Sequence, residues 1–227
     1  MMNDAKNQIL QANKWIVDKK LVSLTWGNVS LKRESRVFIK PSGIDLESAS
    51  IEYMSEVDLN GNIISGLKPS VDTPAHLELY SGFEGINSIV HTHSKYATVF
   101  AQLNRSIDCL GTTHADYLKG SIPVVPIPDW NDSESYEKTT GKAIVSYFQE
   151  KDINPLDISA TLVSGHGVFV WGETLDKALE NAYVLELIAE MAYLTIVVRP
   201  LAAELDSKIL EKHFLRKNGN GKYYGQG

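Results

Sequence analysis

Residues 88–103, SIVHTHSKYATVFAQL, read as a buried strand running into a helix. Ser88 to His93 carries the apolar pair Ile89–Val90, Ser94 stands at a helix-capping position, and Lys95 to Leu103 form the helix behind it. The strand ends on His91 and His93. Alternate strand residues face one side, so both imidazoles can converge on one point. An isolated H-x-H is more often a polar strand end with two hydrogen-bonded histidines. A third histidine shifts that reading: His166, in the segment SGHG, is flanked by Gly165 and Gly167, where the backbone can turn tightly and bring an imidazole against a neighbouring strand. Three neutral imidazoles with an open position form a catalytic zinc site, whereas structural zinc takes four ligands rich in cysteine. Cys109 is the single cysteine, so any metal held here is expected to be catalytic.

On either side of this junction the chain alternates strands and helices. A first helix is expected with Asn3 or Asp4 as its cap and Ile9, Ala12, Trp15 and Ile16 at helical spacing. Val29 to Leu31 and Val37 to Ile39 flank the polar KRESR as a hairpin. Pro74 suits the first position of a helix starting near Thr73, where a missing N–H costs nothing. Ile122 to Ile127 reads as a strand and Tyr136 to Glu150 as a helix. Ala160 to Val163 and Val168 to Trp171 read as strands around SGHG, and Thr174 caps a long apolar helix to Val198. A last helix around Glu204 to Phe214 leads into the tail KNGNGKYYGQG, expected to be mobile from about residue 217. With no internal repeat and no long linker, residues 1–227 read as one α/β domain.

Composition limits the partners. Of 227 residues, 43% are hydrophobic and 22% charged, enough apolar surface for a core without staples. Net charge is −6, which repels polyanions at long range, so nucleic acid is not an expected partner. The longest stretch free of Asp, Glu, Lys and Arg, Ile158 to Gly172, holds His, Ser, Thr and glycines and does not suit a bilayer. The start of the chain has Asp4 and no apolar run, so a secretory signal is not expected, and one cysteine points to the cytoplasm.

Asp72 and His76 are four apart at a helix start and could share one side. Asp72 can then be a fourth ligand, a general base or simply a helix-terminal aspartate favoured by the macrodipole. TWGNVS and IKPSGID pair small residues with exposed amides and hydroxyls, which can cradle phosphate without a large positive field; each reads equally as a turn. Cys109 lies in apolar IDCLG and reads as a buried thiol. Tyr223 and Tyr224, in a Gly/Asn-rich tail, have no core to fill unless the tail folds back or reaches another subunit.

Taken in order, TWGNVS, IKPSG, KPSVDTPAH, IVHTHS, GTTHADY, SGHG and LRKNGNGKYYGQ resemble the class II aldolase/epimerase family, and within it the branch that inverts C4 of a pentulose 5-phosphate. The resemblance runs from about Leu21 to Gln226. It implies a three-layer α/β fold, a central β-sheet flanked by helices on both faces, in a four-fold symmetric homotetramer with active sites between subunits. It implies zinc on His91, His93 and His166, with Asp72 at or beside the metal. Phosphate of a sugar-phosphate substrate would lie against Gly27, Asn28, Ser42, Gly43 and Ser70, with Lys40 and Thr25 in matching motifs. Where the family often has a second serine after Ser70, this chain has Val71. Asp116, in THADY, and Tyr224 would be the proton donors and acceptors, with Thr112, Glu137 and His213 nearby.

The chemistry explains the parts. L-Ribulose 5-phosphate and D-xylulose 5-phosphate differ at C4, which is not α to the C2 ketone, so simple deprotonation there gives no stabilised anion. Cleaving C3–C4 does, leaving charge on oxygens that a Lewis-acidic zinc can bear. Glycolaldehyde phosphate must then rotate while its phosphate stays anchored, and re-addition inverts C4. One acid/base group is needed on each face. The rivals are a family aldolase acting on a deoxy-ketose 1-phosphate, which places glutamate where Asp72 stands, and a non-catalytic zinc-binding protein.

Overall fold

A computed structural model describes residues 2–127 and 133–218. Its elements, in chain order, are α1 (Met2–Asp18), β1 (Asn28–Arg33), β2 (Arg36–Ile39), a 3-10 turn (Ile51–Tyr53), β3 (Ser55–Asp58), β4 (Ile63–Ser65), α2 (Thr73–Gly82), β5 (Ser88–Thr92), α3 (Lys95–Gln102), α4 (Thr112–Ala115), β6 (Val124–Val125), α5 (Tyr136–Glu150), β7 (Ala160–Val163), β8 (Val168–Gly172), α6 (Leu175–Val198) and α7 (Ser207–Asn218).

The strands form an eight-stranded sheet in the order β4-β3-β2-β1-β5-β8-β7-β6. Every pairing is antiparallel except β6 with β7, the one pair joined through a crossover helix, α5. β1 and β5 lie at the centre with β8 beside β5, and all five residues of β5 and of β8 are buried. Burial on both faces is why β8 reads as an unbroken apolar run rather than as an alternating strand.

Register sets the two faces. Ile89 opposes Trp171 and His91 opposes Phe169, so these four side chains share one face of the sheet. On that face Trp171 packs against Phe83, the residue after α2, and Phe148 of α5, with ring centroids 5.0 and 5.3 Å away. Val90 and Val170 point the other way, toward the layer containing α6, which packs on β5 and β8. The expected layering is therefore present: α2 and α5 pack together over one face, and α6, with α3 and α1 against it, covers the other. α6 is long and apolar enough to cross a membrane by length and composition alone. Here it buries Ala178, Ala182, Leu185, Ile188, Ala189 and Ala192 as a core helix.

The structure changes several boundaries. β3 and β4 fill a region to which the sequence reading assigns no element; Ser-Glu-Val-Asp is too polar to look buried, and the Asn60–Gly61 turn between the strands is the signal for this hairpin. The strand expected at Ile122–Ile127 shortens to Val124–Val125, with Ile122 in a lone bridge to Ile107. α1 starts at Met2, so Asn3 and Asp4 lie inside its first turn rather than capping it. α7 runs three residues later than the expected last helix at its start and four at its end. Thr174 does cap α6, accepting from the Lys177 N–H at 3.2 Å, but Ser94 makes no side-chain cap on α3.

Candidate active site

The end of β5 and the β7–β8 turn bring three histidines together. The centroids of His91 and His93 are 5.1 Å apart, those of His91 and His166 5.0 Å, and those of His93 and His166 4.8 Å. One ligand atom from each lies within 4.8 Å of the others. His91 is fixed most firmly: its Nδ1 meets the Val168 carbonyl at 2.9 Å, so with Nδ1–H as donor the Nε2 lone pair is presented. The turn works because Gly165 takes φ +68° and because Gly167 lies so close to β5 that a Cβ there would stand 2.6 Å from the Thr92 carbonyl oxygen.

Electrostatics favour neutral imidazoles. Burial, reinforced by His91 and His93, lowers His166 to about 4 against the opposing pull of Asp72. His93 is also lowered, first by burial and then by His91. Nδ1 of His166 is buried with no hydrogen-bond partner among the described residues. Three imidazoles on one point, one ring oriented by a backbone carbonyl and one carrying an unpartnered buried nitrogen, fit a metal ion.

Asp72 stands beside this trio rather than within it. It occupies the N-cap position of α2, yet its side chain caps nothing there. Instead Oδ2 accepts from Asn28 Nδ2 at 2.7 Å, and the same nitrogen donates to Ser70 Oγ at 3.0 Å. Burial works to raise the Asp72 pKa, but His91, His76, the Asn28 hydrogen bond and His166 together hold it below the usual carboxylate range. His76, four residues on, turns into the core. Its Nδ1 pairs with Ser30 Oγ at 2.7 Å, its ring meets Phe169 edge-on, and burial lowers it to about 3.

Gly27, Asn28, Ser42, Gly43, Ser70, Asp72, His91, His93 and His166 all line one cleft of about 580 Å³. Sequence reasoning places these residues in separate motifs; β1, β5 and the loops before α2 join them. Gly27, at φ +71°, is required by close approach, since a Cβ there would lie 2.8 Å from the His91 carbonyl oxygen. Lys40 is buried in the same wall and donates to the Thr25 carbonyl at 2.8 Å, holding the two loops together. Burial lowers its pKa while Asp72 opposes. Trp26, Val71, Tyr136 and Glu137 complete the lining. Trp26 and Tyr136 were not singled out from sequence. Trp26 lies within TWGNVS, but Tyr136 had no signal beyond its place at the start of a helix.

Residues 7–193 match the family model described as Class II Aldolase and Adducin N-terminal domain. A relative in Mycoplasma pneumoniae, named "Probable L-ribulose-5-phosphate 4-epimerase UlaF", is 41% identical over 232 residues, covering 100% of this chain and 96% of its own. This chain belongs to the class II aldolase family. Solved structures of the same architecture include an L-fuculose 1-phosphate aldolase, with TM-score 0.78 and 24% identity over 92% of this chain and 94% of that one. The L-fuculose-1-phosphate aldolase of Thermus thermophilus gives TM-score 0.69 at 24% identity over 88% and 98%.

Asp116, Thr112 and His213, expected near the site, stand apart from the cleft. Asp116, at the end of α4, does not line the cleft. Its carboxylate is held by Arg216 of α7, Nε to Oδ1 at 3.0 Å and Nη2 to Oδ2 at 2.8 Å, and by His213 Nδ1 at 3.0 Å. Burial works to raise its pKa, and the Arg216 and His213 bonds outweigh it, leaving Asp116 lowered. Thr112 opens the same short helix, also away from the cleft. Tyr224 lies outside the described residues.

Proposed function

We propose that this chain is a metal-dependent epimerase that interconverts L-ribulose 5-phosphate and D-xylulose 5-phosphate at C4 by reversible cleavage of C3–C4. The observation that carries the reading is one cleft in which three converging imidazoles share the lining with Gly27, Asn28, Ser42, Gly43 and Ser70, whose small residues, amides and hydroxyls suit a phosphate. The name of the Mycoplasma pneumoniae relative supports the choice of substrate.

His91, His93 and His166 would hold the metal, zinc in this proposal, with Asp72 beside it; when bound, the ion supplies Lewis acidity toward the substrate's carbonyl and hydroxyl oxygens. Asn28, Ser42 and Ser70, with Gly27 and Gly43, hold the phosphate, so the two-carbon aldehyde fragment stays in place while it turns. Asp116 and Tyr224 exchange a proton with the C4 oxygen, one on each face. Asp116 is outside this chain's own cleft, so the reading requires a neighbouring subunit to bring it in. Asn218, the last described residue, donates to the Asp116 carbonyl at 2.9 Å, so the tail that carries Tyr224 starts beside Asp116.

A homotetramer with sites between subunits meets that need. α6 supports self-association, because Leu187, Met191, Leu194 and Val198 follow a 4-3-4 spacing and are 38, 45, 51 and 86% exposed. We place the enzyme in the cytoplasm, where its single cysteine stays reduced.

The test is turnover of L-ribulose 5-phosphate by purified protein, with xylulose 5-phosphate detected by a coupling enzyme. Cleavage of a deoxy-ketose 1-phosphate without epimerisation would assign the chain to the aldolases instead. No turnover of either sugar phosphate would contradict the proposal.

A further inference from the structure

Glu186 lies in the middle of α6, yet its carboxylate caps a different helix. Oε1 accepts the backbone N–H of Tyr96 at 2.8 Å and Oε2 that of Ala97 at 3.1 Å. These are the second and third residues of α3, whose first-turn N–H groups have no partner within the helix. Ser94, at the N-cap position, makes no side-chain cap, and its hydroxyl is buried without a partner. A carboxylate makes stronger hydrogen bonds to these amides than a hydroxyl does and complements the positive end of the helix dipole.

The position of this cap matters because of what precedes it. β5 ends at Thr92 and α3 begins at Lys95, so His93 sits in a two-residue join between a strand fixed by sheet register and a helix held by Glu186. The three histidines are not constrained alike. His91 is buried, stacked on Phe169 and bonded to the Val168 carbonyl. His93 is exposed, and its described ring contacts are with His91, His166 and Trp26. Its direction therefore depends on where the backbone of the join is held.

We propose that Glu186 is a positioning residue of the metal centre: by gripping the first turn of α3 from α6, it sets the backbone of His93–Ser94 and aims the His93 imidazole at the point shared with His91 and His166. The proposal rests on the metal-binding reading of the three histidines, not on the choice of sugar substrate. It makes α6, the helix with the exposed apolar edge, the outer support of the centre.

The experiment measures metal binding rather than turnover. The full-length protein is stripped, and its affinity for Zn²⁺ is measured by competition with a chromophoric chelator. The visible absorption of the Co²⁺ form reports ligand geometry. Glu186→Ala is expected to weaken Zn²⁺ binding about 10- to 100-fold, the usual loss for a residue that orients a ligand, and to alter the Co²⁺ spectrum. Glu186→Gln keeps an acceptor oxygen and should recover most of the affinity. Glu186→Asp, whose carboxylate is drawn back by one methylene, should fall between and serves if the alanine variant does not fold. Thr174→Ala removes the N-cap of α6 itself, about twelve residues away; it should lower the thermal midpoint but leave Zn²⁺ affinity unchanged. Wild-type affinity and spectrum in Glu186→Ala, or equal loss in Thr174→Ala, would overturn the proposal alone. Failure of the wild-type protein to bind any divalent metal would overturn the metal-binding reading and this proposal with it.

Discussion

The imidazole of His91 lies almost flat against the ring of Phe169, with centroids 4.3 Å apart and planes 22° apart, across the β5–β8 pair in which the two residues are directly opposed. With the bond from Nδ1 to the Val168 carbonyl, the stack leaves the ring one orientation and one tautomer. A core aromatic thus backs an imidazole of the group that could hold a metal ion.

Replacing that backing should loosen the ligand without removing it. Phe169→Leu is expected to keep the fold and weaken metal binding about tenfold, within the usual range for groups that orient a ligand. Phe169→Ala should cost roughly 3 to 5 kcal/mol of stability, as large-to-small changes of buried Phe do. Chelator competition and thermal unfolding read the two effects separately, and unchanged metal affinity in Phe169→Leu would contradict this account.

Acid should release the metal late. A ligating imidazole must be neutral, and His166 is lowered to about 4, so it stays neutral as pH falls through the unperturbed histidine value of about 6.5. Metal content, measured after dialysis at each pH, should not fall through protonation of His166 until the pH nears 4. In the metal-free protein the sign follows from linkage. His166 and His114, also lowered to about 4 by burial, bind protons more weakly folded than unfolded. Stability is therefore full above about pH 6.5 and declines as pH drops toward 4.

His93→Ala should lose the metal and the epimerase activity together. Chelation of the wild type should do the same reversibly and lower its thermal midpoint, because a ligand bound only to the folded state stabilises it. Full metal occupancy in His93→Ala, measured by elemental analysis, would remove His93 from the centre.

Asn28→Ala removes the donor shared by Asp72 and Ser70. Without that bond the Asp72 pKa should rise, since the hydrogen bond helps to lower it. Loss of a hydrogen bond to a charged group costs roughly 1.5 to 3 kcal/mol, so inhibition by inorganic phosphate should weaken about tenfold or more. The same inhibition constant in the variant and the wild type would exclude Asn28 from the phosphate site.

Arg216→Ala should detach α7 from α4. The lost contacts include two hydrogen bonds to a carboxylate whose side chain is 15% exposed. A cost of roughly 1.5 to 3 kcal/mol is expected, localised to residues 207–218 and visible as faster amide hydrogen exchange there. Exchange at the wild-type rate would mean that the pair does not anchor the helix.

Tyr224→Phe is expected to keep metal, assembly and thermal midpoint while losing roughly 10²- to 10⁴-fold in epimerisation, the contribution of a positioned acid/base group. Tyr223→Phe should be much milder. Condensation of dihydroxyacetone with glycolaldehyde phosphate, measured alongside, separates bond formation from inversion. Epimerisation by Tyr224→Phe at the wild-type rate would require a different second acid.

The sequence alone determined the strand-to-helix junction at His91–Ser94, the glycine-flanked turn at His166 and the alternation of strands and helices, because short apolar runs, tight-turn glycines and helix starts are written in local residues. The order of motifs also pointed to the class II aldolase family. Other features depended on contacts between distant segments. Pairing of β1 with β5 places Asn28 opposite His91, and that register helps to gather Asn28 and the imidazoles into one cleft. Asp72, which reads locally as a helix-terminal aspartate, turns to a residue 44 positions away. Asp116 is tied to Arg216, 100 residues on, rather than lining the cleft. Ser94 reads as the cap of α3, but Glu186, about 90 residues later, takes its amides. Local patterns fix which groups need partners; a buried charge or an unpaired N–H accepts any partner of the right chemistry, and only the packing of strands and helices decides which one is within reach.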